Sequence, residues 1–405
     1  MADKKQKSLI PKKDGRSSPR VLICIPVLLT GGTEMQTLNL IHVLMDAEYL
    51  VTVCCYYEYE LAMVTRFESA GVRVILMNLQ RSHSLWRLIL VLRTLIKEIQ
   101  PDIVHVQYVA PGLIPIITAR LSEVRTIFAT VHQPGRVYGL KAKLLLGFGA
   151  SLCTAFFCVS QSAEESWFGD SQVFNPKDVN RSRKHFTVYN AVDVSRITKI
   201  VNSVDREHLR KSLGIDDSPV IGIVARVREE KGHAVLLEAM AEVLKTFPST
   251  VLLAIGDGPD RSKLEKFTKD LGIERQIKWL GKKNAQEVFA LYSVMDVVVV
   301  PSLFEGFGLS AAEAMAAKVP VVASNIDGLK EVVKHEETGY LFPLRDSHSL
   351  AMRLIQIIEN PEEAVAMGKK GYVRVSKKFS LEIFAESMTG AYRHFSQGGI
   401  SLPPK

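Results

Sequence analysis

Apolar and polar positions alternate along this chain in two long runs of the same kind. Short uninterrupted apolar stretches, the mark of strands buried on both faces, are separated by amphipathic stretches of helical period. In the first run the pattern predicts strands at Val21–Pro26, Leu50–Tyr56, Val72–Leu79, Asp102–Gln107, Arg125–Val131, Ala155–Ser160 and Phe186–Tyr189. Helices are expected between several of them, over 32–46, 60–70, 84–99 and 160–168. The second run predicts strands at Val220–Ala225, Val251–Gly256, Gln276–Leu280, Val297–Val300 and Val319–Ala323. Such alternation argues for parallel sheets with helices on both faces, in two units of similar architecture and no short-period repeat. Residues 196–217 are charged and lack an apolar strand, so they read as a helix and linker between a domain at 20–195 and another at 218–375. A long helical pattern, Lys377–Phe395, marks a further segment at 376–397, and short tails flank the whole at 1–19 and 398–405.

One stretch organises the rest: VVVVPSLFEGFGLSAAEAMAAKVP, from Val297 to Pro320. A strand ends at Pro301, a loop leads to Gly306-Phe307-Gly308, and an Ala-rich helix follows from Leu309 to Ala317. A helix start after a glycine turn is a place for an anion, because free backbone N–H groups and the positive dipole end point at it. Glu305 and Glu313 flank that place eight residues apart, which is about 12 Å if mostly helical. That is roughly the distance between the two sugars of a nucleotide-diphosphate sugar, and carboxylates suit hydroxyls. The same pattern also describes an ordinary βα unit with solvated glutamates.

Composition narrows the class. The chain has 405 residues, enough for two domains, with 47% hydrophobic and 23% charged residues, which is globular rather than disordered. Five cysteines form an odd count without C-x-x-C and sit mostly in predicted strands. Buried reduced thiols in a cytoplasmic protein account for them better than disulfides or zinc. Of the net charge of +8, residues 1–20 contribute +5, from seven Lys or Arg against Asp3 and Asp14, leaving +3 for the remainder. The body is therefore close to neutral and no nucleic-acid partner is expected; a disordered basic tail suits an anionic membrane surface or solubility. The apolar run after it, Val21–Leu29, ends in Thr30-Gly31-Gly32 without a small-x-small cleavage site, so it reads as a first strand rather than a signal peptide. Leu144–Val159 is uncharged but short and interrupted by Gly147 and Gly149, so it reads as a helix end and a strand, and no transmembrane helix is expected.

Other candidates lie where strands end. Arg226 and Lys231 follow a strand at the edge where open α/β sheets bind ligands, and either meet a diphosphate or open a helix as surface charges. Gly256 lies in a tight turn, Ile255-Gly256-Asp257-Gly258-Pro259. Gly31 and Gly32 stand between the first strand and its helix, where backbone approaches a phosphate or forms a plain turn. His132 ends another strand, as a structural or a ligand-facing residue.

Taken as an ordered set, the glycine loop, the His, the Arg/Lys pair, the Gly-Asp-Gly turn and the E-x(7)-E segment resemble glycosyltransferase family 4. The resemblance covers nearly all of residues 20–395 and is strongest over 220–340. Ala225 stands where the family has Gly, Ala191 where it has Gly in N-G-V-D, and Lys330 where it favours Pro. It implies a GT-B fold, two Rossmann-like domains facing a cleft, with the N-terminal one binding acceptor, the C-terminal one binding nucleotide sugar, and the last helix crossing back. It also implies a retaining transfer of a hexose-type sugar from a UDP- or GDP-sugar to an acceptor hydroxyl, lipid-linked or carbohydrate, in bacterial polysaccharide or glycolipid synthesis. Catalytic roles fall on His132, Arg226, Lys231 and Glu305, and donor binding on Gly31, Gly32, Gly256, Gly306, Phe307, Gly308, Leu309 and Glu313. No D-x-D occurs, so neither a metal nor a further cofactor is expected. A retaining glycosidase places its carboxylates about 5–5.5 Å apart, which fits this spacing poorly. A nucleotide-sugar epimerase of the same fold and a binding protein without turnover stay open. For the membrane, the tail and the cations of Arg136–Lys143 predict reversible electrostatic attachment at the inner face of the cell membrane, whereas 84–99 reads as a packed, core-facing helix with its cations on the wet side.

Overall fold

The structure is a computed structural model that describes residues 18–396 apart from residues 83, 108–112 and 181. The two tails read from the sequence lie almost wholly outside the described residues.

Two parallel sheets stand side by side. The first contains β1 (Arg20–Ile25), β2 (Leu50–Cys55), β3 (Arg73–Leu76), β4 (Ile103–Gln107), β5 (Thr126–Val131), β6 (Ala155–Cys158) and β7 (His185–Thr187), in the order β3-β2-β1-β4-β5-β6-β7. The second contains β8 (Val220–Val224), β9 (Val251–Ile255), β10 (Ile277–Gly281), β11 (Val297–Val300), β12 (Val321–Ser324) and β13 (Gly339–Phe342), in the order β10-β9-β8-β11-β12-β13. The central strands are continuous Val, Ile and Leu runs because helices cover both faces of each sheet, and four core clusters line those faces. This is the two-domain Rossmann-like arrangement expected from the alternation. Strand order reverses between β1 and β4 and again between β8 and β11. Ligands of open α/β sheets bind outside the strand ends at such points, and the loops after β1, β8 and β11 all carry candidate residues.

Three segments differ from the sequence reading. Strand β13 was not anticipated, being an edge strand of only four residues, GYLF. Residues after 193 do not form a loose linker: helices Val194–Ser203 and Arg206–Ser212 pack on the second domain, with Val194 and Ile197 in its core. The helical pattern from Lys377 is divided, since Pro361–Lys378 forms one helix and Leu381–Ser396 the next. At the division Val192 N–H donates to the Phe379 carbonyl (2.9 Å), so the chain crosses between domains along two adjacent segments. The last helix then lies on the first domain, where Phe384, Met388 and Tyr392 join the core under β1. Tyr392 Oη is 2.7 Å from His105 Nδ1, and His105 Nε2 is 2.8 Å from Thr130 Oγ1.

All five cysteines are buried free thiols. Burial pushes the Cys24, Cys55 and Cys153 thiols up to about 12. Among the described residues, no helix is long and apolar enough to cross a membrane.

Candidate active site

Lys231 and Glu305 form the centre of the cleft on the second-domain side. Lys231 ends a short 3-10 turn after β8, and Gly232 follows it in the left-handed region with φ 69°. A Cβ on Gly232 would stand 1.9 Å from the Pro301 carbonyl oxygen, so the turn after β8 packs backbone to backbone on the end of β11. That close approach brings Lys231 Nζ to 2.7 Å from Glu305 Oε2, and Ser302 Oγ donates to the same oxygen at 3.4 Å. Gly256, after β9, presses likewise on the Ala225 carbonyl behind Arg226.

From Glu305 the chain turns through Gly306–Gly308 into the helix Leu309–Ala316. Gly308 caps this helix without a side-chain hydrogen bond, which leaves first-turn N–H groups facing the cleft. The helix covers only the second half of the Glu305–Glu313 spacing, so the rise estimated for a helical segment applies to four residues rather than eight. Glu313 accepts a hydrogen bond from Tyr292 Oη at 3.1 Å, and burial pushes its carboxyl up to about 7. Phe307 turns its ring away from the cleft, 5.2 Å from Phe379 and 6.2 Å from Tyr189, so its side chain belongs to the packing at the domain crossing.

The first domain closes on this turn from the other side. A Cβ on Gly306 would stand 2.0 Å from the His132 carbonyl oxygen, and one on Gly32 would stand 2.9 Å from Leu309 Cδ1. His132, at the end of β5, donates from Nε2 to Gln107 Oε1 (2.8 Å), and burial holds it down to about 3. It is therefore neutral and hydrogen-bonds without contributing charge. Ser160 Oγ donates to the Gly306 carbonyl at 2.7 Å. Glu331 of the second domain accepts from Gln161 N (2.9 Å), Ser162 N (2.7 Å) and Ser162 Oγ (2.5 Å), capping the helix Gln161–Phe168 of the first. Arg136–Asp327 (2.5 Å) and Lys282–Glu60 (3.0 Å) are further ion pairs across the cleft. This is a closed arrangement of the two domains.

The structure thus brings His132, Lys231, Glu305, Gly306, Gly32 and Leu309 together. Two further groups escaped the sequence reading. Glu34, in the first turn after the glycine loop, is buried and pushed up to about 7 by that burial, while Arg226 across the cleft pulls it back. Its signal was a carboxylate one turn beyond Gly31-Gly32. Tyr292 reads in sequence as a core aromatic, and only its proximity to Glu313 reveals its hydroxyl. The joint role of Ser160 and Glu331 as an interdomain latch needed coordinates. Outward from Glu305 a cavity of about 670 Å³ opens between the domains, lined by Arg136, Val137, Glu229, Asp327, Lys330 and Arg345 among others. Among the described residues, no three His, Cys, Asp or Glu side chains converge as metal ligands.

Comparison with known proteins decides the family. The model for glycosyl transferases group 1 matches residues 205–374, and the model for glycosyltransferase family 4 matches residues 30–196. The N-acetyl-alpha-D-glucosaminyl L-malate synthase of Bacillus anthracis is 30% identical over 288 residues, 69% of this chain and 71% of that protein. The chain is a group 1 glycosyl transferase. Other curated relatives are matched over about half their length, as with a D-inositol 3-phosphate glycosyltransferase of Corynebacterium urealyticum, 33% identical over 195 residues and 46% of each chain. Two solved structures share the fold. HepE of Anabaena, crystallised with UDP, has a TM-score of 0.78 at 19% identity, over 93% of this chain and all of that one. A glycosyltransferase of Rickettsia africae has a TM-score of 0.79 at 18% identity, over 95% of this chain and all of that one. The GT-B architecture read from the sequence is therefore shown.

Proposed function

We propose that this transferase moves a hexose-type sugar from a UDP- or GDP-sugar to an acceptor hydroxyl with retained configuration, and that it does so without a metal. The observation that carries this reading is the Lys231–Glu305 pair at the mouth of the Gly306–Gly308 turn. One cation, one carboxylate and a bare helix start converge there, opposite His132.

In this mechanism the departing diphosphate gains negative charge, and Lys231, Arg226 and the helix N-terminus stabilise it electrostatically. Arrival of the diphosphate draws Lys231 from Glu305, which frees that carboxylate to hold hydroxyls of the transferred sugar. Glu313, with Tyr292 behind it, accepts from the ribose hydroxyls. Neutral His132 contacts the sugar from the first domain without repelling the cations, and the glycines at 31 and 32 let backbone approach the diphosphate. Closure of the domains excludes water, so transfer outcompetes hydrolysis. The relatives' names range from inositol 3-phosphate and L-malate to a monoacylated phosphatidylinositol mannoside of Corynebacterium glutamicum, the last of which supports a lipid-linked acceptor, and the five buried thiols fit a reducing, cytoplasmic setting.

The test is the release of free nucleoside diphosphate from UDP- and GDP-sugars in the presence and absence of candidate acceptors. Release that depends on acceptor supports transfer. Epimerised donor without an acceptor, or binding without turnover, assigns the chain to one of the two alternatives instead.

A further inference from the structure

The first domain carries an apolar surface that the site does not use. Helices Leu85–Ile99, Leu113–Leu121 and Leu140–Leu152 follow β3, β4 and β5 and cover the same face of the first sheet. Their inner sides, including Leu88, Leu92, Ile116 and Leu146, belong to one core. Their outer sides are apolar as well. Trp86 is 73% exposed, Leu90 64%, Leu140 73%, Leu144 67% and Phe148 53%. The sequence reading of 84–99 as a packed helix is therefore half right: Leu88, Leu92, Leu95 and Ile96 pack, whereas Leu85, Trp86 and Leu90 face solvent.

We propose that this three-helix face docks on an anionic phospholipid bilayer by placing Trp86, Leu90, Leu140, Leu144 and Phe148 among the acyl chains beneath the headgroups. Charge selects this occupant. Arg87, Arg93, Lys97, Lys141 and Lys143 are interspersed with the apolar residues, and the three helices contain one acid, Glu98, which lies 3.6 Å from Arg73. Leu, Trp and Phe surrounded by Lys and Arg are what an anionic interface takes up. A second copy presenting the same face would instead set cation against cation.

The face also leads to the site. Helix Leu140–Leu152 follows the short turn Gly135–Val137, and Arg136 and Val137 of that turn line the 670 Å³ cavity beside Glu305. Docking on this side sets the cavity mouth toward the headgroups, so the acceptor class is a lipid headgroup or a lipid-linked sugar. The acceptor assignment rests on the transfer reading; the docking itself does not.

The experiment uses the full chain with vesicles of phosphatidylcholine, with and without phosphatidylglycerol, at low and high salt. Flotation measures binding, and quenching of tryptophan emission by lipids brominated in the acyl chain measures depth; W86F identifies the reporter among the three tryptophans. Anionic vesicles are expected to bind the protein, quench Trp86, and retain a substantial fraction at high salt. L90E combined with L144E, both at exposed positions, is expected to weaken binding about tenfold or more with unchanged melting temperature. Absence of binding at low salt overturns the proposal. So does binding that high salt abolishes without Trp86 quenching, which assigns attachment to electrostatics alone. A dimer in solution that L90E/L144E dissociates overturns it in favour of a second copy. Donor turnover with a soluble acceptor is read separately, so failure of the transfer reading leaves the vesicle result standing.

Discussion

Replacing Gly306 with alanine tests the closed cleft with a single methyl group. The added Cβ would stand 2.0 Å from the His132 carbonyl oxygen, and contacts under 3.0 Å essentially never occur, so the two must separate by at least 1.0 Å. The turn has little room to recoil. On its other side Gly328 is close enough that its own Cβ would lie 2.7 Å from the Glu305 carbonyl oxygen and 3.0 Å from the Gly306 carbonyl carbon. The separation therefore falls on the cleft. Moving the turn directly away from the first domain by that amount stretches the 2.7 Å Ser160–Gly306 bond beyond hydrogen-bonding reach, at a cost of about 1 kcal/mol to the closed state. The larger effect is geometric, because a misplacement of about 1 Å costs on the order of a hundredfold in rate. Gly306→Ala is expected to lower kcat about a hundredfold. Nucleotide affinity is expected to change less than about threefold, since Arg226, Lys231 and Glu313 stay on one domain. Transfer kinetics, calorimetric titration with nucleoside diphosphate and small-angle scattering for an opened domain pair make the comparison. Wild-type turnover, or equal losses of turnover and affinity, would refute the argument that backbone contact at this point sets the geometry of the closed site.

Lys231→Ala is expected to reduce turnover more than any loss of folding explains, with circular dichroism and the melting temperature near wild type; an unchanged transfer rate would remove the diphosphate role. Transfer is expected to survive EDTA, and loss of activity that magnesium or manganese restores would contradict cation stabilisation by side chains alone. Glu313 and Glu34 are raised from 4.5 to about 7, so between these values the folded protein holds protons that the unfolded chain has released. Stability of the ligand-free protein is thus expected to fall as pH rises through that window, by about 3 kcal/mol per group as an order of magnitude. Glu313→Gln should remove part of the slope, and identical pH profiles for variant and wild type would show that its carboxyl is not held protonated.

The sheet architecture was legible because its strands are buried on both faces. Val297–Val300 can be little else, and the glycine turn and Ala-rich helix after it follow from local rules. The Glu305–Glu313 pair was legible for the same reason, being carried on one local unit. Less legible was whatever depends on distant residues meeting. Glu331 serves Ser162 and Gln161 from about 170 residues away, and nothing near Glu331 announces a helix end in the other domain. The break at Phe379-Ser380 was hidden because no Gly or Pro marks it; Phe379 leaves the helix to pack on Phe307 and Tyr189. The outer face of Leu85–Ile99 was misread because periodicity shows that a helix is apolar nearly all round without showing how much of it a neighbour covers.

The return of the last helix also bears on how the protein is made. Synthesis runs from the N-terminus, yet the first domain lacks part of its own interior until residues 381–396 emerge. Until then the slot for Phe384, Met388 and Tyr392 stands open, and His105 has no phenol beside it. The nascent first half is consequently a greasy, unfinished object throughout translation of the second. A chain cut short anywhere before Ser380 never completes it. The exposed slot thus sets a chain that lacks residues 381–396 apart from one that carries them.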